Sequence, residues 1–451
     1  MPLTDRTQTL NVFDTGLRNQ YYQNWNVSVQ RQVTKDSFLS VRYVGTKGTK
    51  LLQGENLNSD VIGSNGFLSA FQTTAAGGEA PLFDQLFNGL TVPGQGVVNG
   101  TTVRGSDYAR SNSTMESYMA NNNVGAFANY INTTALGTNV NGGLLAKAGL
   151  PQNFFVTNPQ FANVWLVGNY GNSTYNAMQV DYEKRFGHGW VYQGSYVWSK
   201  ALGEYELGST QVYQNNYRDP ENRSFDHRIM TFNRTSVFKS NGTYELPFGH
   251  GRTLMKNANR LVDGILGGWK VSAILTYTSG VPFTVTAPVS TFDQFTTGQT
   301  PNVTGPLPKS TGQLQFNGAG ACFFCNWTQM RDPNISLLTP SLASQSTLLA
   351  RQGPGGVILE NPLPGTLGNL AQTFFTTPNF FDLDVSLTKR FRITERFNFE
   401  LRTDWLNAAN HPDFSNATID GSINDATFGR YTGAGSANNN RIIVIAGRLN
   451  W

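Results

Sequence analysis

The sequence predicts an all-β fold, an antiparallel transmembrane β-barrel present as its C-terminal portion of about nine strands, with short periplasmic turns and long extracellular loops. Three observations predict it. Charge is sparse: Asp, Glu, Lys and Arg make up 14% of the 451 residues, against about 25% in a soluble domain. Nine segments alternate apolar and polar residues in the manner of strands. The connections between them alternate strictly between short and long. Composition alone does not decide. Aromatics at 12%, 47 glycines and a negative mean hydropathy would also suit a β-sandwich or a solenoid adhesin.

The clearest strand is Phe381 to Thr388, where every odd position is apolar and every even one polar. Phe397 to Trp405 and Trp269 to Tyr277 follow, then Trp190 to Ser199, with Trp190, Tyr192, Tyr196 and Trp198 on one face. Trp25 to Val33, Leu39 to Tyr43, Tyr175 to Phe186 and Ile443 to Trp451 continue the series. Ile229 to Leu246 alternates poorly and carries Asn241-Gly242 inside it.

Tight turns are expected at Thr34-Lys35-Asp36 and Gly187-His188-Gly189, and Arg392 to Arg396 is nearly as short. Long connections run from Thr46 to Asn172, Lys200 to Arg228, Thr286 to Phe380 and Ala408 to Asn440. The middling one, Pro247 to Gly268, falls in a short-turn position and is expected to hold a brief helix around Asn259 to Leu266. An outer-membrane barrel sorts its loops this way by side. Soluble sandwiches have no reason to.

The aromatics supply a second test. Trp190 and Trp198 lie eight residues apart on one strand face, as do Trp269 and Tyr277, and Phe397 and Trp405. Eight residues at ~3.3 Å rise, tilted ~40°, span roughly 20 Å of height. That approaches the apolar band of about 25 Å whose rims carry aromatic girdles. Between the pairs the same face is apolar or small, as at Val271, Ala273 and Leu275; the opposite face carries Asn398, Glu400, Arg402 and Asp404. Such charges suit a wet lumen and not lipid. Six girdle residues are therefore expected: Trp190, Trp198, Trp269, Tyr277, Phe397 and Trp405.

A series of blocks then resembles the late barrel of Oar-like TonB-dependent outer-membrane proteins. Tyr21 to Gln32 comes first, followed by Tyr43-Val44-Gly45-Thr46-Lys47-Gly48. Asn172 to Ala177, Tyr196-Val197-Trp198-Ser199-Lys200, Phe225-Asp226-His227-Arg228, Tyr244 to Gly249 and Leu266-Gly267-Gly268-Trp269 come next, in collinear order. Phe380 to Ser386 and Leu406 to Pro412 complete the set. The resemblance implies a larger protein, with a signal peptide, an N-terminal carboxypeptidase-regulatory-like sandwich, a plug and a barrel of about 22 strands. Residues 1–451 would then be a partial barrel, without the signal, sandwich, plug and early strands. Met1 to Arg6 has neither the positive patch nor the apolar stretch of an export signal. The resemblance further implies TonB-dependent uptake of a scarce solute, with the TonB complex engaged through the missing part. Siderophore, cobalamin, glycan and peptide are all compatible. At the chain end, Ile443, Ile445, Leu449 and Trp451 alternate toward a terminal aromatic, which resembles the recognition signal for the barrel-assembly machinery.

Other chemistries find little support. The longest aliphatic run, Ile442 to Ala446, is far short of the ~18 apolar residues of a membrane helix. No basic run interleaves with aromatics, so no nucleic-acid partner is expected. His188, His227, His250 and His411 have no metal-ligand spacing, and no Gly-Lys dipeptide occurs. Gly433-Ala434-Gly435 opens like a dinucleotide fingerprint, but Asn438 stands where its third glycine belongs. Asp382 and Asp384 read as lumen-facing residues and not as a catalytic pair. No enzyme activity, cofactor or metal is expected. Cys322 and Cys325, the two cysteines, flank two phenylalanines in a Gly-rich loop; a local disulfide and two free thiols are the readings. A passive porin, or a surface adhesin, is the alternative function. The outer membrane of a bacterium, with lipid around the strands, is the expected location.

Overall fold

The computed structural model describes residues 3, 5–187, 189–204, 217–294, 298–308, 312–313, 321–394, 397–414, 418–432 and 440–450. His188, Trp451 and the Gly433 to Asn438 stretch lie outside them. Nine long strands form one antiparallel meander: β1 (Tyr21–Thr34), β2 (Ser37–Asn56), β3 (Asn163–Gly187), β4 (Trp190–Gly203), β5 (Ser236–Glu245), β6 (Trp269–Thr278), β7 (Phe380–Arg392), β8 (Asn398–Leu406) and β9 (Ile442–Asn450). Every expected segment has its strand, and neighbours in the sheet are neighbours in the chain.

Three boundaries differ from expectation. β2 and β3 run well past Thr46 and begin well before Asn172, and Trp165 and Val167 are buried on that extension. Ile229 to Leu246 is interrupted. Arg228–Ile229 pairs with β4, then the chain leaves the ladder until β5. There Met230 N–H donates to Ala201 O (3.0 Å) and Asn233 Oδ1 accepts from Ala201 N–H (2.8 Å), so side-chain and backbone bonds replace regular pairing.

The turns at one end are short. Lys35-Asp36 closes β1 on β2, and Thr394 Oγ1 accepts from Phe397 N–H (3.0 Å) between β7 and β8. The longer β5–β6 connection holds the helix Arg260–Leu266, capped by Asn259 Oδ1 accepting from Val262 N–H (2.9 Å). Its last carbonyls are met by the buried Lys389 ammonium, which donates to Ile265 O and Gly267 O.

Register decides what the sheet faces. Tyr196 lies beside Phe238, Phe238 beside Tyr277, and Tyr277 beside Phe381. The next pairs on that face include Leu275 with Leu383, Val385 with Trp405 and Trp405 with Ile443. At the other end of the sheet, Val27 lies beside Tyr43 and Val29 beside Val41. One face is therefore apolar across all nine strands. The other carries Asn26 and Ser28, Asp181 and Gln179, Asn241, Ser272, Asp384 and Arg402. Among the described residues, no other element packs over the apolar face between its rims. Every residue of β1 is exposed, Ile445 is 70% exposed and Val29 67%. A sandwich would bury alternate residues; this sheet leaves an apolar surface that hydrocarbon must cover.

The buried cores lie elsewhere, in the long connections. Residues 57–162 fold into a helical layer around Phe67, Phe71, Phe83, Phe127 and Phe155, all fully buried. The helix Val124–Thr133 shows why: Val124, Phe127, Ala128 and Ile131 recur on one face and all point inward. A second core joins residues from 283–375 and 419–431, with a four-stranded sheet in the order Asn302–Val303, Gly356–Glu360, Leu349–Gly353, Thr328–Arg331. The long connections expected to be mere loops are thus folded bodies. The N-terminal segment joins them: Thr9–Phe13 adds in parallel to the extension of β3, and the buried Arg6 side chain donates to Asn132 and Gln152.

Candidate functional site

The expected girdle residues all fall on the apolar face or its continuation. Trp190 opens β4 beside Tyr244, and Trp198 lies between Met178 and Ser236, 55% exposed. Trp269 opens β6, its indole N–H donating to Ile265 O (2.9 Å). Tyr277 stands between Phe238 and Phe381, Trp405 between Val385 and Ile443. Phe397 precedes β8 and is exposed. Ile443, Ile445 and Leu449 share the face. β9 departs from the pattern in one respect: Ile442 and Val444, on the polar face, are also apolar and exposed.

On the polar face, charges pair near β7 and β8. Arg402 Nε donates to Asp404 (2.7 Å), and Arg390 pairs with Glu400 (3.1 Å) across β7 and β8. Asp384 Oδ1 accepts from Asn407 N–H (2.9 Å). Among the described residues, no three His, Cys, Asp or Glu side chains gather closely enough to hold a metal ion.

Above the wall, the folded connections form a cap. Residues 217–226 are locked to β2 and to the second core. Arg218 is buried and donates to Asp226 through Nε (2.7 Å) and to Thr300 Oγ1 (3.1 Å). Burial lowers the affinity of its guanidinium for a proton, and Asp226 offsets this. Arg223 pairs with Glu55 at the top of β2 and stacks 4.0 Å above the Tyr170 ring. Tyr217 donates to Gln53, and its burial pushes its phenol well above the usual range. In the second core, Cys322 and Cys325 form a disulfide in the β6–β7 connection, around Phe323 and Phe324. Phe324 stacks on Phe428 at 4.8 Å. Beside them, Arg351 is stacked over Phe428 and lowered to about 10 by burial.

Where three of these connections meet is a cavity of about 500 Å³. Glu55, Asp60, Asp219 and Glu221 line it, together with apolar side chains such as Ile62, Leu68 and Phe292. Asp60 is 8% exposed, and neither of its carboxylate oxygens has a hydrogen-bond partner among the described residues. Burial, then the neighbouring Asp293, pushes its carboxyl well above the ordinary range. Sequence reasoning did not find this cavity. The residues come from segments far apart in the chain, and only Asp226 below it lay in a quoted block. That block's aspartate orders the loop that carries Asp219 and Glu221.

An antiparallel sheet with one uncovered apolar face, a polar reverse face and folded connections at one end defines a membrane β-barrel wall with an external cap. The chain belongs to the outer membrane beta barrel domain family, whose model matches residues 2–443, and its place is the bacterial outer membrane. Among solved structures it is similar to the outer membrane transporter YddB from Escherichia coli, at 8% identity over 99% of this chain and 34% of that one, with a TM-score of 0.36. The ferripyoverdine receptor of the outer membrane of Pseudomonas aeruginosa matches at 7% identity over 97% of this chain and 29% of that one, with a TM-score of 0.32. A Pseudomonas aeruginosa FadL homologue matches at 8% identity, 90% and 52%, with a TM-score of 0.18. The chain spans about a third of the length of the first two. No curated protein matches the sequence.

Proposed function

We propose that the chain is the late barrel of an Oar-like TonB-dependent transporter, without enzymatic activity, that takes a scarce solute across the outer membrane. The cap captures the solute, the polar wall lines its path, and an upstream plug moved by TonB opens that path. The observation that carries this reading is the continuous two-sided register, apolar outward and polar inward, beneath a folded cap with its own cavity. A solvated inner face is what a lumen requires.

The outer edges of β1 and β9 have no partner strand among the described residues. Unpaired backbone groups in hydrocarbon each cost several kcal/mol. Further strands are therefore part of the reading, and they lie in the parent protein. The barrel-assembly machinery would recognise the β9 end, and Trp451 is the residue whose deletion tests it.

The test is uptake by cells carrying the full-length parent. Accumulation of its solute is expected to stop on dissipating the proton gradient or deleting tonB. Uptake that persists unchanged would leave a passive porin. A parent recovered without detergent would leave an adhesin.

A further inference from the structure

We propose that the helix Arg260–Leu266 of the β5–β6 connection lies on the lipid side of the wall and inserts Leu261 and Ile265 into the periplasmic leaflet of the outer membrane. The occupant of this exposed helix side is phospholipid, and the proposal is independent of what the barrel carries.

Register places the helix. Trp269 and Lys389 are partners at the start of β6 and late in β7, two residues beyond the pair Val271 and Leu387 on the apolar face. Residues two apart on a strand share a face, so both belong to the lipid side. Both reach the same point of the helix. The Trp269 indole N–H donates to Ile265 O (2.9 Å), and the Lys389 ammonium donates to Ile265 O (3.3 Å) and to Gly267 O. The ammonium also lies 5.2 Å from the centroid of the Trp269 ring. A lysine that would otherwise meet hydrocarbon is thus buried under the helix end, whose carbonyls attract a cation.

The helix then turns its apolar side away from the protein. Leu261 and Ile265, four residues apart, share one side and are 81% and 68% exposed. Asp263, about half a turn round from both, is held within the connection, where its Oδ1 accepts from His250 N–H (2.6 Å). A helix packed for water would do the reverse. In the next connection along the sheet, Ile393 and Phe397 are also exposed, so the apolar surface continues past the ladder at this rim. The β1–β2 turn, Lys35-Asp36, has no such residues. A short helix with one apolar side, held at the level of a girdle tryptophan, fits the headgroup boundary, where such helices bury that side by about 5–10 Å.

Spin labelling of the full-length parent in phosphatidylethanolamine–phosphatidylglycerol liposomes tests this. The single variants are Leu261→Cys, Ile265→Cys and, as the aqueous control, Lys35→Cys. All three side chains are exposed, so each variant should assemble with normal heat-modifiable mobility, and the Cys322–Cys325 disulfide takes no label. Labels at Leu261→Cys and Ile265→Cys should collide with dissolved oxygen more than with a water-soluble nickel chelate, at a ratio severalfold above that of Lys35→Cys. A ratio equal to the control at either position overturns the proposal and leaves the helix in water. Low collision with both reagents overturns it too, and line broadening that vanishes on dilution with unlabelled parent would then assign the helix to a contact with a second copy.

Discussion

The strand wall and the cap are built for different solvents. In the cap, Phe67, Phe83 and Phe127 pack at 5.6–5.8 Å around a closed core, Phe67 edge to face on Phe127 and the other two pairs tilted, and water supplies the driving force. In the wall, residues of the same kind point outward and stay more than half exposed: Trp198, Val29, Ile445. The wall holds together by backbone ladders, and its apolar face gains its burial only when lipid arrives. The two regions should therefore fail under different insults, and each failure can be measured without the other.

The largest effect concerns the wall without the further strands proposed above. Residues 1–451 expressed alone should be recovered as aggregate, since both sheet edges are open. A heat-resistant, compact, pore-forming species from this piece would break the comparison at its root. Next comes the cap core. Phe127→Ala should cost about 3–5 kcal/mol locally, seen as proteolysis of the helical layer on intact cells, while the parent barrel keeps its heat-modifiable mobility. The reciprocal change is Ala273→Arg, beside Val385 on the apolar face and midway between Trp269 and Tyr277. It should cost about 2–4 kcal/mol near mid-membrane and lower the assembled fraction, with cap proteolysis unchanged in what assembles. Ser272→Arg, one pleat away on the polar face, should assemble normally.

How much was legible in the sequence follows the same division. A lipid-facing strand must alternate, so Phe381 to Thr388 announced itself. Asn259 announced a helix start because a cap residue acts locally. The weak segment from Ile229 was weak for a reason, since Met230 and Asn233 bond back to Ala201 and leave the ladder. The cap was illegible. Phe67 meets Phe127 and Phe155 across long stretches of chain, and no local period encodes such a contact. The cavity combines Asp60, Asp219 and Phe292 from three connections, and a carboxylate's isolation is a property of the fold alone.

A smaller effect belongs to the cysteines. The disulfide closes a very short loop in the cap, so its loss should cost about 2 kcal/mol at most and leave wall assembly intact. Cys322→Ser, Cys325→Ser and the double variant should assemble like the parent. After mild reduction, a membrane-impermeant maleimide on intact cells should label the wild type and not the double variant. Labelling only after the outer membrane is opened would reverse the sidedness of the wall.

The smallest effect is the pH dependence of the cap, and Asp60 sets its sign. Its carboxyl is raised in the folded cap by burial and by Asp293, whereas the unfolded chain titrates near pH 4, roughly the ordinary aspartate value. The unfolded state then loses its proton first as pH rises. Stability is fully present below the unfolded value and falls until the folded carboxyl ionises. Asp293 adds repulsion in the same direction; Glu55, paired with Arg223, and Asp219 and Glu221 line the neighbouring cavity. Protease resistance of the cap on the parent should therefore decline from mildly acidic to neutral pH. Asp60→Asn should flatten that decline and make the neutral cap more resistant. The wall's ladders do not run through Asp60, so its heat-modifiability should not follow the same profile. An Asn variant that keeps the full slope would locate the titrating group elsewhere and leave Asp60 without the isolation argued for it.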